Sequence, residues 1–356
     1  MSVSRDNHYV PQLYLNNWGT NNKIYVHRLL VPHEAVPEWE RCAIRTTAYI
    51  ENLYVRIQDG EEYDDFELDF NGRFETPVKP ILSKLCSDQK LTREEWLVLC
   101  DYITAQYVRT PSFYHYVASW GKKEVPDIVE KVLNKLVSVP IKPLKEKTGL
   151  GNGQLLPVEV SISNRPDDDL HSYLEVNTVV GKNLWLYIIN HILTSDSPVK
   201  RAFREMKWHI VTAPPEFRWP TCDAPVVVTR MGQQGRVDVS NGFGNKDAVI
   251  LFPVSPKKLL LGTHARGNSW HFEADIKLAQ QLSEAIVNNA LMYVYSSFED
   301  PSVVSIRSRV VDAEEFKRQK KQYADWYAKY KTDEAPFLTK KRAIKREQKI
   351  DLGGIV

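Results

Sequence analysis

Thr92-Arg93-Glu94-Glu95-Trp96-Leu97-Val98-Leu99-Cys100-Asp101-Tyr102-Ile103-Thr104-Ala105-Gln106-Tyr107-Val108-Arg109-Thr110-Pro111 reads as one helix with both ends marked. Thr92 and Glu95 have the spacing of a capping box, in which each side chain bonds the other's backbone N–H. Pro111 disfavours helix in the residue before it, so the helix is expected to stop near Arg109. Trp96, Leu99, Ile103 and Tyr107 recur at helical spacing and predict a buried face.

Upstream, Thr76 to Ser87 predicts a partner helix, with Pro77 suited to its first turn. Further helices are expected over 125–137, 177–193 and 275–294. Extended segments rich in β-branched and aromatic residues alternate with them: Lys23–Leu30, Thr47–Ile57, Trp208–Thr212, Ala224–Arg230, Ala248–Val254 and Leu259–Thr263. Asn21-Asn22 suits a turn before the first of these. The mixture predicts an α+β fold, a mixed or antiparallel sheet packed by several helices, with a basic helical tail at the C-terminus. The main domain is expected over 1–310 and the tail over 311–356. A division into two lobes near 142–169, where glycine, proline and acidic residues suggest a surface excursion, is the alternative.

Composition narrows the function classes little. Of 356 residues, 43% are hydrophobic and 26% charged, with a net charge of +2, ordinary for a folded chain. Cys42, Cys86, Cys100 and Cys222 form no C-x-x-C pair, and the nine histidines form no H-E-x-x-H or H-x-x-x-H. A disulfide framework or structural zinc site is therefore not expected. No apolar leader or run of ~18 apolar residues occurs, so the chain reads as cytoplasmic with no membrane partner. Glu61 to Asp69 carries six carboxylates in nine residues and reads as a solvated loop before it reads as a cation site.

Candidate functional residues sit beside the apolar stripes. His8 and Gln12 flank Pro11 in an extended or turn segment, where His8 offers an acid, a base or a metal ligand, or else a structural hydrogen bond. Glu75 begins on the inward face of its helix, where a carboxylate needs a partner, although a helix-start acid is also favoured by the dipole. Gln106 and Arg109 extend the buried stripe of the next helix by one turn. If the two helices form an antiparallel hairpin, Glu75, Gln106 and Arg109 lie at the same end. Arg109 can then pair with a carboxylate or hold a phosphate. Asp223, in Thr221-Cys-Asp-Ala-Pro-Val226, sits where the chain turns into a strand, and Asp is a common turn former. Cys222 has no histidine nearby in sequence and makes a weak nucleophile.

Taken together these segments resemble a bacterial domain family of unknown function that typically opens H-Y-V-P-Q-F-Y-L-R-N-F. His8-Tyr-Val-Pro-Gln12 followed by Tyr14-Leu15 carries the most specific likeness. Ile50-Glu51-Asn52-Leu53-Tyr54, the Glu75 helix, Gln106-Tyr-Val-Arg109-Thr-Pro111, Thr221-Cys-Asp-Ala-Pro-Val226, Phe252-Pro-Val-Ser-Pro256 and the stretch from Ala290 to Ser296 extend it to about residues 5–300. Asn16-Asn17-Trp18 replaces R-N-F, and Cys222 and Ala224 stand where the family has serine and asparagine. The resemblance implies that His8, Gln12, Glu51, Glu75, Gln106, Arg109 and Asp223 occupy polar motif positions of a shared pocket. Some relatives are associated with defence against phage.

The functional expectation is a defence effector that hydrolyses a phosphate-containing substrate such as nucleic acid. In a metal-assisted version a divalent metal sits on the carboxylates, His8 is the acid or base and Arg109 the phosphate clamp. A recognition or protein-interaction module that binds a phage component is the alternative. An enzyme should gather His8 and the carboxylates around a cleft, whereas a recognition module should show structurally satisfied polar residues. Between Asp312 and Lys349 there are 12 basic and seven acidic residues, and Lys340-Lys-Arg-Ala-Ile-Lys-Arg346 is the densest run. With Phe316, Tyr323, Tyr327 and Tyr330 near helical spacing, this tail could follow nucleic-acid phosphates. Its rings could instead dock on the protein, or serve a partner or self-association.

Overall fold

A computed structural model of the chain describes residues 6–58, 61–137, 158–165, 168–178, 180–230, 247–264 and 271–333. The fold is α+β. The strand Ala248–Ser255 is buried at every position. Such a continuous apolar run belongs to a strand covered on both faces. Ile250, Phe252 and Val254 enter one hydrophobic cluster. Val249 and Leu251 enter a second, as the two-residue period of a strand requires.

Around that strand lies a five-stranded sheet in the order Val227–Arg230, Ala248–Ser255, Lys258–Thr263, Lys207–Thr212, His271–Glu273. Its pairs are antiparallel except the last, which is parallel. A four-stranded antiparallel sheet, Thr221–Cys222, Tyr293–Ser296, Lys23–Arg28, Glu40–Ala43, stands beside it. Asn21 and Asn22 both have positive φ, 54° and 57°, in the two-residue turn that leads into Lys23. Asparagine tolerates that conformation at low cost.

The larger cluster is closed by helices. Arg93–Val108 begins with both bonds of its capping box in place. Its second half, from Leu99 to Val108, is buried on almost every side except at Asp101 and Tyr107. It is thus a central helix rather than a surface one with a single apolar stripe. Thr76–Cys86 packs against it as a hairpin, and Lys182–Thr194 lies across it.

Several segments differ from the sequence expectation. Part of the acidic stretch is ordered: Glu61–Tyr63 pairs as a strand with Arg56–Gln58, and Asp65–Asp69 is helical. That helix runs through a π-type turn, Phe70–Glu75, into Thr76–Cys86. Phe66, Phe70 and Phe74, four residues apart, are all buried and drive this order. The helix expected over 125–137 starts at Pro111, and the one expected from 177 starts at Lys182, because Asp168–Thr178 pairs with Val158–Arg165 as a hairpin. The expected helix over 275–294 ends at Asn289 and gives way to the strand Tyr293–Ser296. Residues 142–157 of the expected surface excursion and Lys340 to Lys349 of the basic tail lie outside the described residues.

Ala313–Ala324 and Trp326–Asp333 dock on the body. Trp326 is buried, with its ring 4.3 Å from Tyr114 and 6.1 Å from Trp185. Tyr330 Oη accepts from the Ile57 N–H at 2.9 Å and bonds Asn183 Oδ1 at 3.0 Å. Arg28 lies over the Phe316 ring, 4.4 Å from its centroid. The aromatic spacing of this segment is therefore spent on packing against the protein.

Candidate functional site

The hairpin of helices places Glu75 and Arg109 at one end, and Arg109 Nη1 donates to Glu75 Oε1 at 2.7 Å. Nη2 donates to the backbone carbonyl of His8 at 2.5 Å. Gln106, one turn back, donates from Nε2 to the carbonyl of Tyr9 at 2.8 Å. The H-Y segment is thus held by its main chain from the end of the central helix. Tyr54 Oη donates to the Arg109 carbonyl at 2.6 Å, and the guanidinium lies over Phe70, 4.2 Å from the ring centroid. Arg109 is 1% exposed. Burial works against its charge, but Tyr54, Glu75 and Glu67 outweigh it and hold the guanidinium protonated.

His8 is half-buried, and its Nε2 bonds the Arg45 carbonyl at 3.2 Å. Burial lowers its pKa, the bond to Arg45 opposes this, and Arg109 lowers it further. Glu67, one turn before the π-type turn, was hidden in the acidic run that reads as a loop. Burial raises its carboxyl from 4.5 to about 7, with Arg109 opposing and Glu75 adding to the rise. Asn7 donates to Glu67 at 3.4 Å, and its own Oδ1 accepts from the Tyr54 N–H at 3.1 Å. The signal that could have found Glu67 is the Phe66, Phe70, Phe74 spacing, which turns the loop into a helix with an inward face.

The other motif residues lie differently. Gln12 and Glu51 are exposed, and Glu51 pairs across the strands with Asp6. Asp223 is buried, and its carboxylate accepts from the N–H groups of Leu291 at 2.8 Å, Met292 at 2.6 Å and Tyr293 at 3.2 Å. Burial raises it to about 6 despite those bonds. It clamps the turn between the Ile276–Asn289 helix and the strand after it. Cys222 is buried, its thiol raised above its ordinary value by burial, and it bonds the Ala224 carbonyl at 3.2 Å. A thiol held protonated in this way is a poor nucleophile. Tyr14 bonds Thr221 at 2.7 Å and the Pro253 carbonyl at 2.8 Å, and Asn17 bonds the Val254 carbonyl at 2.7 Å. These bonds knit three of the motif segments into one seam.

Among the described residues no group of three or more His, Cys, Asp or Glu side chains is arranged to hold a metal ion. The described carboxylates therefore offer no donor set that fits a divalent cation.

Behind Gln106 opens a cavity of about 290 Å³. Gln106, Thr110, Ser112, Tyr116, Asn288 and Asn289 supply its polar wall, with Phe113 and the valines at 226 and 228 among the apolar remainder. None of the described residues that line it is Asp, Glu, Lys, Arg or His. Gln106 Oε1 is buried without a hydrogen-bond partner. Asn289 Nδ2 donates to the Ala224 carbonyl at 2.6 Å, which fixes the plane of its amide. Gln106 is the residue common to the two regions: its Nε2 holds the H-Y segment, and the residue borders the cavity.

No helix among the described residues is long and apolar enough to cross a membrane. Comparison with curated proteins finds no match, and comparison with solved structures finds none. A family described as "Protein of unknown function (DUF4238)" matches residues 6–300, from the first strand, which carries His8, to the start of the Pro301–Ile306 helix. The chain belongs to that family of proteins of unknown function.

Proposed function

We propose that the chain is a recognition module that binds an uncharged polar ligand in the cavity behind Gln106. One contrast supports this reading. Arg109, Glu75 and Asp223 spend their hydrogen bonds inside the protein, while the described wall of the adjacent cavity is made of neutral amides, hydroxyls, rings and small apolar side chains. Arg109 is sealed between Glu75, the His8 carbonyl and Phe70, so it has no free face for a phosphate. A concave, partly apolar pocket with a few fixed polar groups is the ordinary form of a small-ligand site. The association with phage defence rests on the family resemblance and gives a setting in which such a ligand would be a signal or a phage component.

The test is a thermal-shift panel of neutral and charged metabolites on the wild-type chain and on Ser112→Trp, which adds an indole to the cavity lining. Neutral ligands should raise the midpoint of the wild type, as binding to the native state requires, and leave the variant unmoved. A panel without any such ligand, or equal shifts in both proteins, would reject the reading.

A second reading, hydrolysis of a phosphodiester by acid–base chemistry without metal, is favoured by Glu67. A carboxyl at about 7, which like the half-buried His8 feels both Glu75 and Arg109, is poised to give or take a proton at neutral pH. Turnover of bis-(p-nitrophenyl) phosphate that disappears in both Glu67→Gln and His8→Ala, with no loss of melting temperature in either, would favour this reading over the first.

A further inference from the structure

We infer that the group taken by the cavity is a nucleobase, an inference that rests on the recognition reading above. A base is neutral near pH 7, has a flat π face, and carries donors and acceptors along one edge. The cavity presents the complement of each property. Among the described residues its lining has no Asp, Glu, Lys, Arg or His, so neither a phosphate nor an ammonium group would find a counter-charge on them. Tyr116 lines the cavity yet is 61% exposed, and its ring stacks with Phe113 at 5.9 Å and 29°. An exposed ring braced from behind is the arrangement on which an unstacked base packs.

The amides supply the edge. Gln106, Asn288 and Asn289 each carry both a donor and an acceptor, the chemistry that reads a base edge. Asn288 is exposed, so its amide is placed to meet a base edge, whereas Gln106 is fully buried, with Nε2 on the Tyr9 carbonyl and Oε1 closed to solvent. An acyclic amide could meet Asn288 but offers no ring face to Tyr116. The volume, about 290 Å³, lies at the lower end of the range for small-ligand pockets and suits a base better than a whole nucleotide.

The source of the base, a free nucleoside or a nucleotide splayed out of a single strand, is separated by the test. Isothermal titration of the full chain would use adenosine, guanosine, cytidine and uridine, then the four single-stranded homotetranucleotides. N-acetyl amino-acid amides and glucose would serve as neutral controls. At least one nucleoside should bind, the controls should not, and Ser112→Trp should abolish binding. Tyr116→Ala and Asn288→Ala, both at exposed positions, should each weaken it about tenfold without lowering the melting temperature, the size expected for loss of one base–aromatic or base–amide contact. A tetranucleotide that binds more tightly than its nucleoside assigns the site to a strand, and equal affinity assigns it to the free compound. Binding of a control amide, but of no nucleoside or tetranucleotide, would overturn the nucleobase and leave the recognition reading standing. Nucleoside affinity unchanged in both exposed variants would also overturn it. If nothing binds, both fall together.

Discussion

Arg109 and Glu75 close the open end of a helical hairpin as a buried ion pair, with Nη1 to Oε1 at 2.7 Å and side-chain exposures of 1% and 17%. The pair joins the end of the central helix to the end of the π-type turn, while the second amino group of Arg109 holds the His8 carbonyl. Removing one partner from such a pair strands a charge away from water. Glu75→Ala should therefore cost about 3–5 kcal/mol, read as a lower midpoint in urea. Replacing both residues by methionine should recover much of that loss. A loss below ~1 kcal/mol for Glu75→Ala would mean that the guanidinium is not dependent on this carboxylate.

Glu67 gives a prediction with a defined pH window. Its folded pKa, about 7, lies above the ordinary 4.5. The folded state therefore binds the proton more tightly, and the group's contribution to stability is full below 4.5 and is lost as pH rises through 7. Glu67→Gln keeps the acceptor for Asn7 and removes the ionisation. The variant should match the wild type near pH 4 and exceed its stability at pH 8, by up to ~3 kcal/mol. Denaturation at the two pH values checks this, and a variant less stable than wild type at pH 8 would contradict it.

Asp223 should behave as a structural clamp. Asp223→Ala leaves three backbone N–H groups without their acceptor, which predicts a loss of roughly 3 kcal/mol or more. The effect should appear equally in melting and in ligand binding, because the turn it holds carries Asn288 and Asn289 just before it. Loss of binding with unchanged melting would instead place the carboxylate in direct contact with ligand.

The docked aromatic segment and the basic run after it should separate cleanly. Trp326→Ala should cost about 3–5 kcal/mol, the usual range for a buried Trp. A chain ending at Asp333 should melt like the full chain. If residues 340–349 bind nucleic acid, that shorter chain should also lose the steep salt dependence of binding that counterion release confers. Unchanged, salt-steep binding after the truncation would assign the phosphate contacts to another surface.

By itself the sequence determined the local elements whose causes are local. The capping box at Thr92 and Glu95, the turn at Asn21-Asn22 and the apolar run Ala248–Val254 each act through neighbouring atoms, so their reading needs no knowledge of the fold. The hairpin logic that brings Glu75 beside Arg109 was also legible, since helix length and direction fix which ends meet. Tertiary structure alone decided what those residues do. Nothing in the spacing of Arg109 reveals that Phe70 and the His8 carbonyl seal it, or that Asp223 meets three N–H groups 68 to 70 positions away. The acidic run shows the limit most plainly: six carboxylates suggest water, yet three phenylalanines at helical spacing bury one face and carry Glu67 inward. The cavity behind Gln106 draws on three segments distant in sequence, so its neutral lining follows from packing and from no single motif.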